Sequence, residues 1–145
     1  MSYRKKQHRS KSPPFVRLFN YVIDSPGYRA LSMVGRAALI EVARLYNGMN
    51  NGQLALSARD LGDRIGKSKS TAARALIELE DMGFIETVRM GRFSQRNRKA
   101  CEYRLTFFRC DVSHALPSKA FFKYGKAVHG IKSVSNGPMG GTEKV

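Results

Sequence analysis

The spacing of hydrophobic residues predicts a mainly helical domain between residues 15 and 109. In four stretches, apolar residues recur three or four positions apart, which places them on one face of a helix. The predicted helices cover residues 15–23, 33–46, 58–65 and 69–82. Ser32, Ser57 and Ser68 precede the last three helices as candidate N-caps. The tripeptide Ser25-Pro26-Gly27 is expected to end the first helix.

Short runs of apolar and β-branched residues predict three strands, over residues 54–56, 84–88 and 102–107. A basic loop over residues 91–99 joins the last two strands. The turn at Gly66-Lys67 joins two helices, as in a helix-turn-helix, and a basic hairpin follows them. The predicted fold class is therefore mainly α with a small β-hairpin, a winged helix-turn-helix.

The two ends of the chain lack this periodic pattern. Residues 1–14 form a basic segment that ends in two prolines and is expected to be a flexible arm. Residues 110–145 form a C-terminal extension that is rich in glycine. We expect it to contain a short helix within residues 118–130, followed by a disordered tail.

Composition and charge indicate an anionic partner. The chain has 145 residues, with 26 Lys and Arg against 11 Asp and Glu, so its formal net charge is +15. A hydrophobic fraction of 42% is too high for a wholly disordered chain. The positively charged side chains repel one another in the compact state, and nucleic acid is the principal candidate partner to neutralise them.

Several classes of protein are excluded at this stage. No apolar run approaches the length of a membrane span, and the first eleven residues do not resemble a secretory signal. Cys101 and Cys110 are too few for a disulfide scaffold or a zinc site, and we expect reduced thiols. The expected location is the cytoplasm, in association with the nucleoid.

One motif carries a family resemblance. From Ser68 the chain reads Ser-x-Ser-Thr-Ala-x-Arg-Ala-Leu-x-x-Leu-Glu-x-x-Gly-Phe-Ile. This pattern resembles the winged helix-turn-helix of regulators found on bacterial plasmids and prophages. Such proteins include transcriptional repressors, conjugal-transfer regulators and replication initiators. The resemblance covers residues 15–109 and implies DNA binding more firmly than any one biological process.

The helix over residues 69–82 is the candidate recognition helix, which would enter the major groove. Ala72, Leu76 and Leu79 share a face that should pack on the preceding helix. The acidic residues near its C-terminus should point away from DNA. The candidate DNA contacts lie at its N-terminal end: Lys67, Ser68, Lys69, Ser70, Thr71, Ala73 and Arg74.

A second set of candidate contacts lies in residues 89–99, which we call the wing segment. It is basic and contains no acidic residue, so it is suited to the phosphate backbone or the minor groove. Its candidate contacts are Arg89, Arg92, Arg96, Arg98 and Lys99. The N-terminal arm adds Arg4, Lys5 and Lys6, which would lie in an adjacent groove.

No pattern in the sequence indicates catalysis. Residues 62–68 resemble a phosphate-binding loop, but the spacing is one residue short and no hydrophobic strand leads directly into it. There is no catalytic triad, carboxylate pair or metal-ligand spacing. We therefore expect no enzymatic activity, no cofactor, no metal and no small-molecule ligand. The basic residues lie mainly in loops and arms, which argues against a membrane-surface helix.

The sequence thus predicts a sequence-specific, double-stranded DNA-binding transcriptional regulator that represses by occupying a promoter. Two alternatives stay open: a plasmid or phage replication initiator that binds origin repeats, and a basic RNA-binding protein. A homodimer is also open, with the first helix and residues 118–130 as the candidate contact surfaces.

Overall fold

A computed structural model describes residues 12–93 and 98–123. Five helices and five strands are defined within these ranges. In chain order they are α1 (Asn20–Ile23), α2 (Pro26–Ala30), α3 (Met33–Arg44), β1 (Leu54–Ala55), α4 (Ala58–Ile65), α5 (Lys69–Asp81), β2 (Ile85–Arg89), β3 (Arg92–Phe93), β4 (Arg98–Lys99) and β5 (Glu102–Leu105).

The three predicted serine caps are confirmed. The side chains of Ser32, Ser57 and Ser68 each accept a hydrogen bond from the backbone N–H three residues later. This bond satisfies one of the amide groups that a helix start leaves without a partner. Because these serines fix where α3, α4 and α5 begin, the sequence predicts the starts of these helices correctly.

The prediction for the N-terminal helix is wrong in two respects. Only Asn20–Ile23 is helical, and residues 13–19 are not. The ring of Phe19 instead contacts Phe107 and Phe108, so tertiary contacts cover part of its apolar surface without a helix. Ser25-Pro26-Gly27 starts a helix as well as ending one. Ser25 accepts from the Tyr28 N–H, and Pro26 occupies the first turn of α2, where a missing N–H costs nothing.

The core lies where α3, α4 and α5 meet a three-stranded sheet. Both α3 and α4 pack against α5. The side chains of Leu39, Leu61, Leu79 and Ile85 are fully buried in it. The predicted inner face of α5 is confirmed, since Ala72, Leu76 and Leu79 are all buried.

The sheet is antiparallel, with strand order β1-β5-β2. Leu54 pairs with Tyr103, and Ile85 pairs with Leu105. The ladder between β2 and β5 is irregular between Thr87 and Arg89. Beyond this irregularity β3 and β4 form a separate two-stranded ladder within the wing segment. The fold is therefore helix-rich with a small three-stranded sheet, consistent with a winged helix-turn-helix.

The start of the C-terminal extension packs on this domain. Phe121 is fully buried, and its ring stacks on Phe84 with the centroids 5.0 Å apart. Of the segment expected to contain a helix, residues 118–120 are not helical and residues 121–123 are, while residues 124–145 lie outside the described residues. The predicted division at residue 109 stays a prediction. Within residues 12–93 and 98–123, no helix has the length and apolar character to cross a membrane.

Candidate nucleic-acid interface

The turn between α4 and α5 depends on two glycines. Gly66 ends α4 in the left-handed region, at φ 68°, where glycine meets no steric penalty. The Lys67 N–H then donates to the carbonyl of Gly62 at 2.9 Å. A Cβ atom on Gly62 would lie 2.7 Å from the backbone oxygen of Lys67. The glycines of the false phosphate-loop motif therefore shape the turn that orients α5.

The outer face of α5 is a ridge of exposed side chains opposite the buried Ala72, Ala75, Leu76 and Leu79. Ser70, Arg74, Ile77 and Asp81 are all exposed and occur three or four positions apart, on one face of the helix. The distance along the axis from Ser70 to Ile77 is about 10 Å. A major groove is about 12 Å wide, so this part of the ridge matches its width.

Ser68 and Thr71 contribute to the start of α5. The Ser68 hydroxyl accepts from the Thr71 N–H at 3.2 Å and donates to the Thr71 hydroxyl at 3.0 Å. Thr71 is only partly exposed, whereas Lys67, Ser68, Lys69 and Ser70 are exposed. Of the candidates at this end of the helix, Lys67, Lys69 and Ser70 are exposed, while the Ser68 hydroxyl is engaged by Thr71.

Two acidic residues of α5 bind neighbouring elements. Glu78 accepts hydrogen bonds from the backbone N–H and the hydroxyl of Ser32, both at 2.7 Å. Glu80 accepts from the Thr87 N–H in β2 at 3.0 Å. These side chains join α5 to α3 and to the sheet, and their carboxylates are directed toward protein donors.

A groove of about 600 Å³ separates α5 from the base of the wing segment. Lys69, Ala73, Ile77 and Glu80 line one wall, and Gly91, Lys99, Ala100 and Cys101 line the other. Arg59, near the start of α4, lines the same groove. Lys69, Arg59 and Lys99 form no ion pair with another described residue. The groove therefore has an apolar floor, and its lining carries these three cations together with the carboxylates of Asp60 and Glu80.

The wing segment contributes one further described cation. The Arg89 guanidinium lies 3.8 Å from the Glu102 carboxylate, but its side chain is 68% exposed and stays accessible. The backbones of Arg92 and Arg98 belong to the β3–β4 ladder. Arg96 and the arm residues Arg4, Lys5 and Lys6 lie outside the described residues.

Tyr103 and Cys101 close the base of the groove. Burial raises the pKa of the Tyr103 phenol well above its usual range, and the neighbouring Cys101 adds to the rise. The phenol therefore stays neutral at physiological pH. The Cys101 sulfur accepts a hydrogen bond from the Gly91 N–H at 3.2 Å and so ties the two sides of the wing base together.

Two residues of this surface are absent from the sequence-based prediction. Arg59 was missed because it precedes the motif by nine positions along the chain. Ile77 was missed because an isoleucine in an amphipathic helix ordinarily belongs to the buried face. A signal for Ile77 was present, since it falls outside the set of buried positions, and its side chain is 57% exposed.

A comparison with known protein families also identifies the helix-turn-helix. The model for the IclR helix-turn-helix domain matches residues 49–89, which include α4, α5 and the turn between them. The match covers less than half of the chain. No curated protein and no solved structure matches. The chain thus contains a helix-turn-helix domain and is a DNA-binding transcriptional regulator.

Proposed function

We propose that the protein is a sequence-specific repressor that binds double-stranded DNA, with α5 in the major groove and the wing segment on the adjacent backbone or minor groove. The observation that carries the proposal is the groove between α5 and the wing base. It places cations from α4, α5 and β4 beside the exposed ridge of α5.

Charge and shape both support this arrangement. Glu78 and Glu80 are bound to Ser32 and Thr87, so they compete less for the cations. Arg74 projects from the ridge and can donate two hydrogen bonds to a guanine edge. Lys69, Arg59 and Lys99 line the groove beside the ridge and would neutralise phosphates, together with the exposed Arg89 of the wing segment. Specificity would then come from the ridge and salt-dependent affinity from its flanks.

Repression requires only that the bound protein occupies DNA that the polymerase needs. We propose occupancy of a promoter as the mechanism, because it needs no activity beyond binding. Neither a cofactor nor a catalytic step is part of the proposal.

We further propose that the protein binds as a homodimer. The two surfaces expected from the sequence lie together, because the Tyr21 ring in α1 stacks on Phe122 at 6.1 Å. Both side chains remain partly exposed, at 37% and 40%. A second copy would bury these rings. Sedimentation equilibrium tests this: Phe122→Ser should weaken the dimer, and Leu116→Ser, at a 79% exposed position, is the control. A monomeric wild-type protein would refute it.

The test of the DNA-binding proposal is selection from a random duplex pool at about 150 mM salt, with RNA as competitor. A defined motif is the expected result, and a palindrome would agree with a dimer. The selected site is then placed over a reporter promoter, where the protein should lower transcription. Selected tandem repeats without repression of the reporter would favour a replication initiator. Displacement of the duplex DNA by the RNA competitor would favour an RNA-binding protein.

A further inference from the structure

Ile77 stands out as an apolar side chain in the middle of an otherwise polar ridge. It is 57% exposed, whereas Ala72, Ala75, Leu76 and Leu79 of α5 are buried in the core. A β-branched residue on an exposed helix position is a poor choice for helix stability. Helix formation therefore does not explain its presence.

The surroundings of Ile77 define what it can contact. Ala73, one turn earlier, lines the same groove and adds a second small apolar surface. Lys69, Arg59 and Lys99 border that groove, and Arg74 lies on the ridge beside it. A small apolar surface bordered by cations suits a ligand that joins an apolar group to an anionic chain.

In the major groove one chemical group meets this description. The 5-methyl group of a pyrimidine is the apolar group exposed on the base edges, and side chains recognise it by contact. The phosphates of the same strand would lie toward the cations. Arg74 and Ile77 are three residues apart, about 4.5 Å along the helix axis, which is near the spacing of successive base pairs.

We propose that Ile77, with Ala73, is a specificity-determining contact for a pyrimidine 5-methyl group, which thymine or 5-methylcytosine would supply. The inference rests on the proposed function, since it requires α5 in the major groove. It adds a preference for thymine at one or two positions beside the base contacted by Arg74.

The experiment starts from a duplex selected out of the random pool. Each thymine is replaced in turn by deoxyuridine, which removes the methyl group and keeps the base pairing. Loss of the methyl contact should weaken wild-type binding about fourfold at one or two positions, as expected for one buried methyl group. At the same positions, cytosine should bind more weakly, and 5-methylcytosine should recover part of the affinity.

Variants identify the protein side of the contact. Ile77→Ala should bind the thymine and deoxyuridine duplexes with nearly equal affinity, while Ile40→Ala, at an exposed position of α3, should keep the wild-type discrimination. Both variants should unfold at nearly the wild-type temperature, since both positions are exposed.

The failures of the two proposals are distinguishable. A selected motif in which every thymine tolerates deoxyuridine would overturn the methyl contact and leave sequence-specific binding intact. Discrimination that persists in Ile77→Ala would assign the methyl group to another residue. A pool that yields no motif would overturn sequence-specific binding, and this inference with it.

Discussion

Glu78 in α5 binds Ser32, the residue that caps α3. One carboxylate oxygen accepts the Ser32 N–H and the other accepts the Ser32 hydroxyl, both at 2.7 Å. The same hydroxyl accepts the Gly35 N–H at 2.9 Å. A carboxylate near the end of α5 thereby fixes the start of α3, and the angle between the two helices depends on it.

Glu78→Ala should lower the free energy of unfolding by about 1–2 kcal/mol, because it removes two charge-assisted hydrogen bonds at a partly exposed site. Chemical denaturation measures the change. Asp81→Ala, at an exposed position of the same helix, is the control and should cost less than about 0.5 kcal/mol. Equal effects of the two variants would contradict a structural role for Glu78.

The effect of Gly35→Ala on the free energy of unfolding should change sign with the residue at position 78. In the wild type the new Cβ would lie 2.5 Å from the Glu78 carboxylate, so the substitution should displace that side chain and destabilise the protein. In the Glu78→Ala background only the Ser32 hydroxyl oxygen remains close, at 3.2 Å, and alanine should stabilise α3 by up to about 1 kcal/mol over glycine. A double-mutant cycle measures this coupling. Additive effects would show that the two residues do not interact.

The two glycines of the helix-turn-helix, Gly62 and Gly66, should differ in how much a substitution destabilises the protein. Gly62→Ala should cost more than about 2 kcal/mol, because its Cβ would meet backbone atoms of residues 67 and 68 that cannot move independently. Gly66→Asn should cost less than about 1 kcal/mol, since a Cβ there meets nothing within 4 Å and asparagine tolerates a positive φ. Thermal unfolding compares the two variants. If Gly66→Asn destabilised the protein more than Gly62→Ala, the positive φ of Gly66 would constrain the turn more than the close approach of backbone atoms to Gly62.

Outside the proposed DNA-binding surface, Asn51 should be among the positions where substitution lowers the free energy of unfolding most. Its buried amide donates to the carbonyls of Leu105, Phe108 and Arg109, and its side-chain oxygen accepts the Leu105 N–H at 2.7 Å. Asn51→Ala should cost about 3 kcal/mol or more, because several buried backbone groups lose their partners. Denaturant unfolding tests this, with the exposed Gln53→Ala as control. If Asn51→Ala lowered the free energy of unfolding no more than the control, the hydrogen bonds of the Asn51 side chain would not stabilise the fold as expected.

Arg74 and Lys99 should affect DNA binding in different ways. Arg74→Ala should cost about 1–3 kcal/mol of binding and relax the preference at one base pair. Lys99→Ala should weaken binding to all duplexes alike. It should also reduce the slope of log binding constant against log salt concentration by about one unit. Arg44→Ala, an exposed arginine of α3, is the control. Selection with each variant, together with a salt titration, distinguishes them. An unchanged base preference in Arg74→Ala would remove this residue from base recognition.

Local signals explain why the central part of the fold was predictable. A serine cap, an apolar face and a glycine turn all lie within α4, α5 and the turn between them, so neighbouring residues suffice to specify them. The N-terminal segment shows the opposite case. Its apolar residues fit a helical period, yet Phe19 lies outside the helix, where its half-buried ring contacts Phe107 and Phe108.

The sequence by itself determined the helix-turn-helix, the basic character of the wing segment and the set of candidate cations, because these follow from local spacing and charge. Only the tertiary structure decided that Arg59 joins Lys69 and Lys99 along one groove, that Glu78 holds Ser32, and that Phe121 reaches the core. Each of these contacts joins residues far apart in the chain. Their proximity arises from packing of the whole core, which no local pattern encodes.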